Sequence, residues 1–109
     1  MVIDFNHMKE EIIHHFKGGE KYMATKMVTD EKNKFMVSRL IPGASVGNHT
    51  HDTSSEIIYI LEGHGISHVD DEETRVGPGF CQYCPKGHSH ELINTGTKDL
   101  VFFAVVPEQ

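Results

Sequence analysis

The chain of 109 residues has no tryptophan, only two cysteines and four prolines. Two cysteines are too few for the disulfide framework of a small secreted domain. No apolar run is long enough to cross a bilayer, and the first twenty residues contain no apolar segment of the kind found in signal peptides. These absences predict a cytoplasmic protein with one main domain and no membrane partner.

Basic residues are scarce as well. Ten Lys and Arg stand against 16 Asp and Glu, which gives a formal net charge of -6. Because there is no basic run and no interleaving of basic and aromatic residues, we expect no nucleic-acid partner. The abundant residue is histidine, with nine in the chain. Their spacing decides whether that number has a chemical meaning.

Most of the chain has the pattern of an all-β protein. Short runs rich in β-branched and aromatic residues alternate with Gly, Pro and Asp, which is typical of a sandwich or barrel. Nine strands are predicted, over 22–29, 34–41, 46–51, 57–61, 65–69, 74–76, 80–84, 88–93 and 100–106. The last of them is apolar on both faces, so we expect it near the centre of a sheet.

The N-terminal segment, 1–21, is expected to stand apart from a barrel domain over 22–109. Asn6 could cap a short helix that ends at Phe16 and presents Met8 and Ile12 on one stripe. An irregular arm that packs on a partner subunit is the alternative. The sequence leaves both interpretations open.

Two histidines and a glutamate are spaced for a metal site. His49 and His51 are two residues apart, so on a strand both imidazoles point to one face, with their Cα atoms about 7 Å apart. Glu56 follows a turn, after which the chain runs back beside the pair. A fourth ligand must come from farther away, where His88 and His90 follow a Pro-Lys-Gly turn. Both have the same strand parity, so periodicity does not choose between them.

These segments resemble the two sequence motifs of the cupin superfamily. The matching positions are Gly43, His49, His51, Glu56 and Gly63 in the first motif and Gly79, Pro85, Gly87, His90 and Asn94 in the second. The resemblance implies a cupin-type jelly-roll β-barrel that binds one divalent metal through His49, His51, Glu56 and His90. It therefore selects His90 over His88. The match is specific to the superfamily and to no single activity.

The implied ligand set suits Mn, Fe, Ni, Co, Cu or Zn. In an octahedral site, four protein ligands leave two positions open, whereas tetrahedral zinc would have none and would be structural. Open positions favour a small metal-dependent enzyme that acts on an organic metabolite chelating the ion through oxygen, by oxygenase, decarboxylase, isomerase or lyase chemistry. The alternative is a non-catalytic cupin module that binds a small molecule or the metal.

The pocket around the ion is expected to be mostly apolar. Ile58 shares the inward face of Glu56 by strand alternation. The face of Met36 and Ser38 is taken as inward, because the opposite face would bury the guanidinium of Arg39. The predicted substrate-binding residues are Met36, Ser38, Ile58, Tyr83, His88 and Phe102, with Phe103 as an alternative to the last.

Val46 argues against one activity within the superfamily. Oxalate-decarboxylating cupins often have an arginine three residues before the first ligand histidine, and Val46 occupies that position here. No cluster of Lys or Arg suits a phosphate, which disfavours a sugar-phosphate isomerase. The resemblance and the N-terminal arm together suggest a homodimer.

Cys81 and Cys84 have the spacing of a redox or zinc motif, but we interpret them as structural. They fall on a predicted strand, without the helix N-terminus that lowers a thiol pKa in redox pairs. Strand parity places them on opposite faces, which is poor geometry for a disulfide.

Overall fold

The computed structural model describes all 109 residues, as ten strands and two 3-10 turns, Phe5–His7 and Phe16–Gly18. The strands are β1 Glu11–His14, β2 Tyr22–Thr29, β3 Asn33–Leu40, β4 Ser45–Thr50, β5 Glu56–Glu62, β6 Gly65–Val69, β7 Glu72–Val76, β8 Cys81–Cys84, β9 Ser89–Asn94 and β10 Leu100–Pro107. For every strand except β1, the first and last residues lie within two residues of those of a predicted strand. None of the helical turns has the length or apolarity needed to span a membrane.

The strands form two antiparallel sheets that enclose one core. The larger sheet has the order β1-β2-β3-β10-β5-β8 and the smaller one β4-β9-β6-β7. Strand β10 pairs with β3 on one side and β5 on the other, so neither of its edges is open and it lies near the centre of the larger sheet, as predicted. The predicted all-β jelly-roll fold is confirmed.

Alternation along β3 shows which face of the large sheet is inward. Met36, Ser38 and Leu40 are buried, whereas Arg39 lies on the outer face. There its guanidinium forms ion pairs with Glu10 at 2.8 Å and Asp99 at 3.0 Å. The predicted orientation of this strand is confirmed, because the charge is paired outside the core.

The N-terminal segment is an extended arm and contains no α-helix. Residues predicted as a helix over 6–16 instead include the first 3-10 turn and β1, which pairs antiparallel with β2. The helix alternative is wrong. A short helix gains little stability by itself, while the open edge of β2 offers a ladder of backbone hydrogen bonds.

The second 3-10 turn packs against β4, the strand that carries the first ligand candidate. A Cβ atom on Gly47 would lie 2.1 Å from the carbonyl oxygen of Lys17, and one on Gly19 would lie 2.0 Å from that of Ser45. Only glycine permits two backbones to approach so closely. The arm is thereby held against the strand beneath the candidate site.

Candidate metal centre

Four titratable side chains converge at one end of the barrel interior. His49 lies on β4 and His51 just beyond it, Glu56 begins β5, and His90 lies on β9 directly opposite His49 in the sheet ladder. Glu56 and His90 are buried, and the other two are partly buried. The structure thus brings together the four residues that the motifs single out.

The three imidazoles form a nearly three-fold arrangement. Each ring is tilted by 58° from the other two, with ring centroids 4.7–4.8 Å apart. The Nε2 atoms are 3.2 Å apart between His49 and His51, 2.9 Å between His51 and His90, and 3.3 Å between His90 and His49. Three nitrogen atoms therefore face one point.

The carboxylate completes the group from one side. Glu56 Oε1 lies 2.9 Å from Nε2 of His51 and 3.1 Å from that of His90. No carboxylate oxygen of Glu56 lies within 4.0 Å of a His49 ring nitrogen, although all four donor atoms lie within 4.8 Å of one another. Glu56 is therefore adjacent to two nitrogens and opposite the third.

This spacing has a meaning in coordination geometry. Donors about 2.1 Å from an ion are about 3.0 Å apart when adjacent in an octahedron and about 4.2 Å apart when opposite. In a tetrahedron all six separations would be about 3.4 Å at the same bond length. The observed set of five short distances and one long one fits an octahedron with His49 opposite Glu56. Two adjacent positions are left without a protein donor.

The outer nitrogen of each ring is held by a neighbour. His49 Nδ1 donates to the carbonyl of Gly47 at 2.7 Å, and His51 Nδ1 lies 3.0 Å from Ser54 Oγ. His90 Nδ1 lies 2.9 Å from the side-chain oxygen of Gln82. Because a carbonyl only accepts, the neutral His49 ring has no proton on Nε2. A bare lone pair aimed at two other ring nitrogens suits a cation between them.

Electrostatics favour the same interpretation. Burial raises the pKa of Glu56, but its close polar contacts with the His51 and His90 rings outweigh burial and lower the pKa to about 2. Burial lowers the pKa of His49 below its ordinary value. At neutral pH the group therefore contains a carboxylate and a neutral imidazole, the protonation states in which these side chains bind metals.

The group opens into a cavity of about 540 Å³. Its apolar wall consists of Phe16, Met27, Met36 and Val106. Its polar lining includes Lys17, Lys32, Lys34, Asp30, Glu31, Asp52 and Glu108, together with three of the four candidate ligands. The charged side chains at the mouth include both signs.

The predicted pocket residues fall into two groups. Met36 lines the cavity. Ser38, Ile58 and Phe102 face inward but are at most 2% exposed and lie in the packed core. Ser38 donates a hydrogen bond to the Thr25 hydroxyl at 2.8 Å. A role for these three core residues in binding substrate stays a prediction.

Two predicted pocket residues lie outside the barrel. Tyr83 is 54% exposed, because alternation along β8 turns its neighbours Gln82 and Cys84 inward. His88 precedes β9, so strand parity does not apply to it, and its ring pairs with Asp70 at the surface at 2.5 Å. The expectation that Tyr83 and His88 contribute to the pocket is wrong.

Sequence reasoning missed Gln82, which contacts the candidate ligand His90. The available signal was parity, since Gln82 is two residues from Cys84 and shares its face. The two cysteines are on opposite faces as predicted, with Cys81 exposed and Cys84 buried. Burial raises the pKa of the Cys84 thiol to about 11.

A double-sheet jelly roll with an inward group of three histidines and one glutamate that could hold a metal defines the class of protein. The chain belongs to the cupin family, because the family model described as the cupin domain matches residues 36–106. The resemblance noted in the two sequence motifs is confirmed.

Relatives in two bacteria are similar to this chain. An oxalate-binding protein of Thermotoga maritima is 33% identical over 97% of this chain and 93% of its own length. A crystal structure from the same organism, described as a predicted oxalate decarboxylase, has a TM-score of 0.94 at 31% identity and covers 100% of both chains. The polyketide cyclase RemF of Streptomyces resistomycificus has a TM-score of 0.80 at 22% identity, covering 98% of this chain and 78% of its own, a likeness of fold alone.

Proposed function

We propose that the protein binds one divalent transition metal through His49, His51, Glu56 and His90, and that the metal takes a small organic ligand which chelates through two oxygen atoms. The donor spacing carries this proposal. A metal held octahedrally by three adjacent nitrogens and a carboxylate would have two neighbouring positions free for a bidentate ligand. When bound, the metal would supply a Lewis acid that polarises the oxygens of that ligand.

The protein's own side chains would shape the rest of the site. Met27, Met36 and Val106 give the cavity an apolar wall that limits the access of water. Glu56 is ionised and directed at two of the imidazoles, so it serves as a ligand and not as a proton carrier. Because the mouth contains acidic as well as basic residues, affinity for an anion has to come mainly from the metal.

Oxalate is the probe of choice for this site. It is a dianion that chelates metals through two oxygens, and one relative that matches almost the whole chain is an oxalate-binding protein. We favour turnover of such a ligand, since His49, His51 and Glu56 line a cavity of about 540 Å³ that would hold a substrate beside the metal. Non-catalytic binding is the second candidate. Val46 supports it, being buried in the core at the position where decarboxylating cupins often have arginine.

A metal titration tests the binding proposal. Protein purified without chelators should contain about one transition-metal ion per chain by elemental analysis. After loading with Co²⁺, the weak visible absorption of six-coordinate cobalt should appear and change when oxalate is added. Calorimetry should show oxalate binding to the loaded protein and none to the chelator-treated protein. An intense tetrahedral cobalt spectrum that oxalate does not alter would contradict the proposal.

Turnover is tested separately from binding. Carbon-13 labelled oxalate is incubated with loaded protein and followed by NMR, with the His51→Ala variant as the matched control. Loss of the oxalate signal in the loaded wild type alone would support an enzyme. A bound but unchanged oxalate would support the binding module. Mn²⁺, Fe²⁺ and Ni²⁺ are compared in parallel, because the donor set suits all three.

We also infer that the protein forms a homodimer. The outer face of β5 and the neighbouring β8 exposes four large apolar or aromatic side chains, Ile57, Tyr59, Leu61 and Tyr83, and Phe80 is exposed just before β8. A contiguous apolar surface of this kind is typical of an interface, and a sheet face can pack against its own copy about a two-fold axis. Size-exclusion chromatography with light scattering should give a dimer mass, and Tyr59→Lys should give a monomer mass.

A further inference from the structure

We propose that Gln82 is a positioning residue that fixes the tautomer and direction of His90 in the metal site. This inference rests on the proposed metal-binding function. It concerns a contact that joins the two sheets of the barrel, because Gln82 lies on β8 of the larger sheet and His90 on β9 of the smaller one.

Gln82 makes three hydrogen bonds while only 4% exposed. Its amide nitrogen donates to Ser67 Oγ at 2.7 Å and to the backbone carbonyl of Glu91 at 3.0 Å. Its amide oxygen lies 2.9 Å from Nδ1 of His90. All three partners belong to β6 and β9, so the side chain crosses between the sheets to reach them.

The chemistry of these partners determines which end of the Gln82 amide faces His90. A backbone carbonyl can only accept, so the Gln82 group that faces Glu91 must be the NH₂. Its two hydrogens are then used by Ser67 and Glu91, and the amide oxygen faces His90. An oxygen can only accept, so His90 Nδ1 carries a proton and donates it. In a neutral ring, Nε2 is then a bare lone pair aimed at the centre of the group.

Gln82 differs in kind from the anchors of the other two rings. His49 donates to a main-chain carbonyl, which no substitution of a side chain removes. The anchor of His51 is the hydroxyl of Ser54, which can donate or accept and so permits either tautomer. Gln82 is the one side chain that imposes a tautomer on a ligand candidate. His90 is 1% exposed, so water has little room to replace the acceptor.

Loss of the amide oxygen has a definite consequence. The proton of His90 would move from Nδ1, where it has no acceptor, to Nε2, where Glu56 Oε1 lies 3.1 Å away. His90 would then donate to Glu56, and an incoming metal would have to displace that proton. Outer partners of metal-bound histidines typically change metal affinity by about 10- to 100-fold. We expect a loss in this range for Gln82→Leu.

The test compares Co²⁺ affinity in the full chain for wild type, Gln82→Leu and Thr25→Val. Thr25 is 2% exposed and hydrogen bonds with Ser38, so Thr25→Val removes a buried polar contact away from the ligands. Gln82→Leu should bind Co²⁺ about 10- to 100-fold more weakly, while Thr25→Val keeps wild-type affinity. Ser67→Ala removes one anchor of the amide and should weaken binding less. Equal affinities for wild type and Gln82→Leu would overturn the proposal.

A second readout does not need the metal. Nitrogen-15 NMR of the metal-free wild type should show His90 protonated on Nδ1, and Gln82→Leu should shift the proton to Nε2. A wild-type His90 protonated on Nε2 would overturn the positioning role even if Gln82→Leu fails to fold. Failure of the wild type to bind any metal, with the Nδ1 tautomer present, would instead count against the metal-binding function alone.

Discussion

The smaller sheet has a cluster of titratable side chains at each face, three histidines with Glu56 on the inner side and His68 with two glutamates on the outer side. The two clusters differ in how their donor atoms are aimed. On the inner face, the Nε2 atoms of His49, His51 and His90 meet near one point, 2.9–3.3 Å apart. On the outer face, His68 hydrogen bonds through Nδ1 to Glu91 at 2.7 Å and through Nε2 to Glu73 at 2.8 Å. These carboxylates lie beside different ring nitrogens, so the donors do not share a centre. Similar residue types give a candidate metal site only where their donor atoms converge.

The two faces also shift histidine pKa values in opposite directions. Burial lowers the pKa of His49 on the inner face. Hydrogen bonds to Glu73 and then Glu91 raise the pKa of His68 on the outer face. His90 and Glu91 are neighbours in sequence, yet strand alternation assigns one to each environment. Substitutions on the two faces therefore test the assignment of the metal site to the inner cluster.

Metal content gives the largest expected contrast. His51→Ala removes a donor from the centre of the inner cluster, so the ion bound per chain should fall from about one to nearly none. His68→Ala should retain the wild-type metal content, because its ring does not reach the group. Elemental analysis after chelator-free purification measures both. Unchanged stoichiometry in His51→Ala would refute the assignment of the inner cluster.

Packing gives the next contrast between inner and outer faces. Phe102 is 1% exposed in the core, so Phe102→Ala should lower the free energy of unfolding by about 3–5 kcal/mol. Tyr83 is 54% exposed, and Tyr83→Ala should change the free energy of unfolding of the monomer by about 0.5 kcal/mol or less. Urea denaturation of each variant at low protein concentration measures the difference. Equal losses of unfolding free energy in Phe102→Ala and Tyr83→Ala would contradict the assignment of Phe102 to the core and Tyr83 to the surface.

Thiol reactivity extends the comparison to the larger sheet. With a pKa of about 11, Cys84 has about 0.1% thiolate at pH 8, and its burial excludes reagents. A disulfide reagent should therefore modify one thiol rapidly in the native protein and the second only on unfolding. Cys81→Ser should abolish the rapid phase, and Cys84→Ser should leave that phase and the metal content intact.

The smallest expected effect is a pH dependence from the outer cluster. A histidine whose pKa is raised on folding stabilises the native state fully below its unfolded pKa of about 6.5. That contribution is lost as the pH rises through the folded pKa. The difference in Tm between wild type and His68→Gln should therefore shrink from about pH 6 to about pH 9, and shrink further in high salt. A difference that grows with pH would contradict the ion pairs of His68.

Some of these features were predictable from local pattern. Alternation located nine strands and placed Met36 inward and Arg39 outward, because the side-chain period of a strand is independent of its partners. The choice of His90 over His88 came from the family motif and not from parity. Parity failed there because β9 begins at Ser89, one residue after His88. Where a strand begins depends on the ladder it joins.

The sequence by itself determined the fold class, the central position of β10 and the four residues of the candidate site. Period-two patterning and the cupin motifs are properties of the chain alone. The tertiary structure decided the extended arm, the outward positions of Tyr83 and His88, and the contact of Gln82 with His90. Each of these depends on a partner distant in sequence, such as the edge of β2 for the arm or the opposite sheet for Gln82. Residues so far apart in sequence come into contact only when the strands pair and the sheets pack.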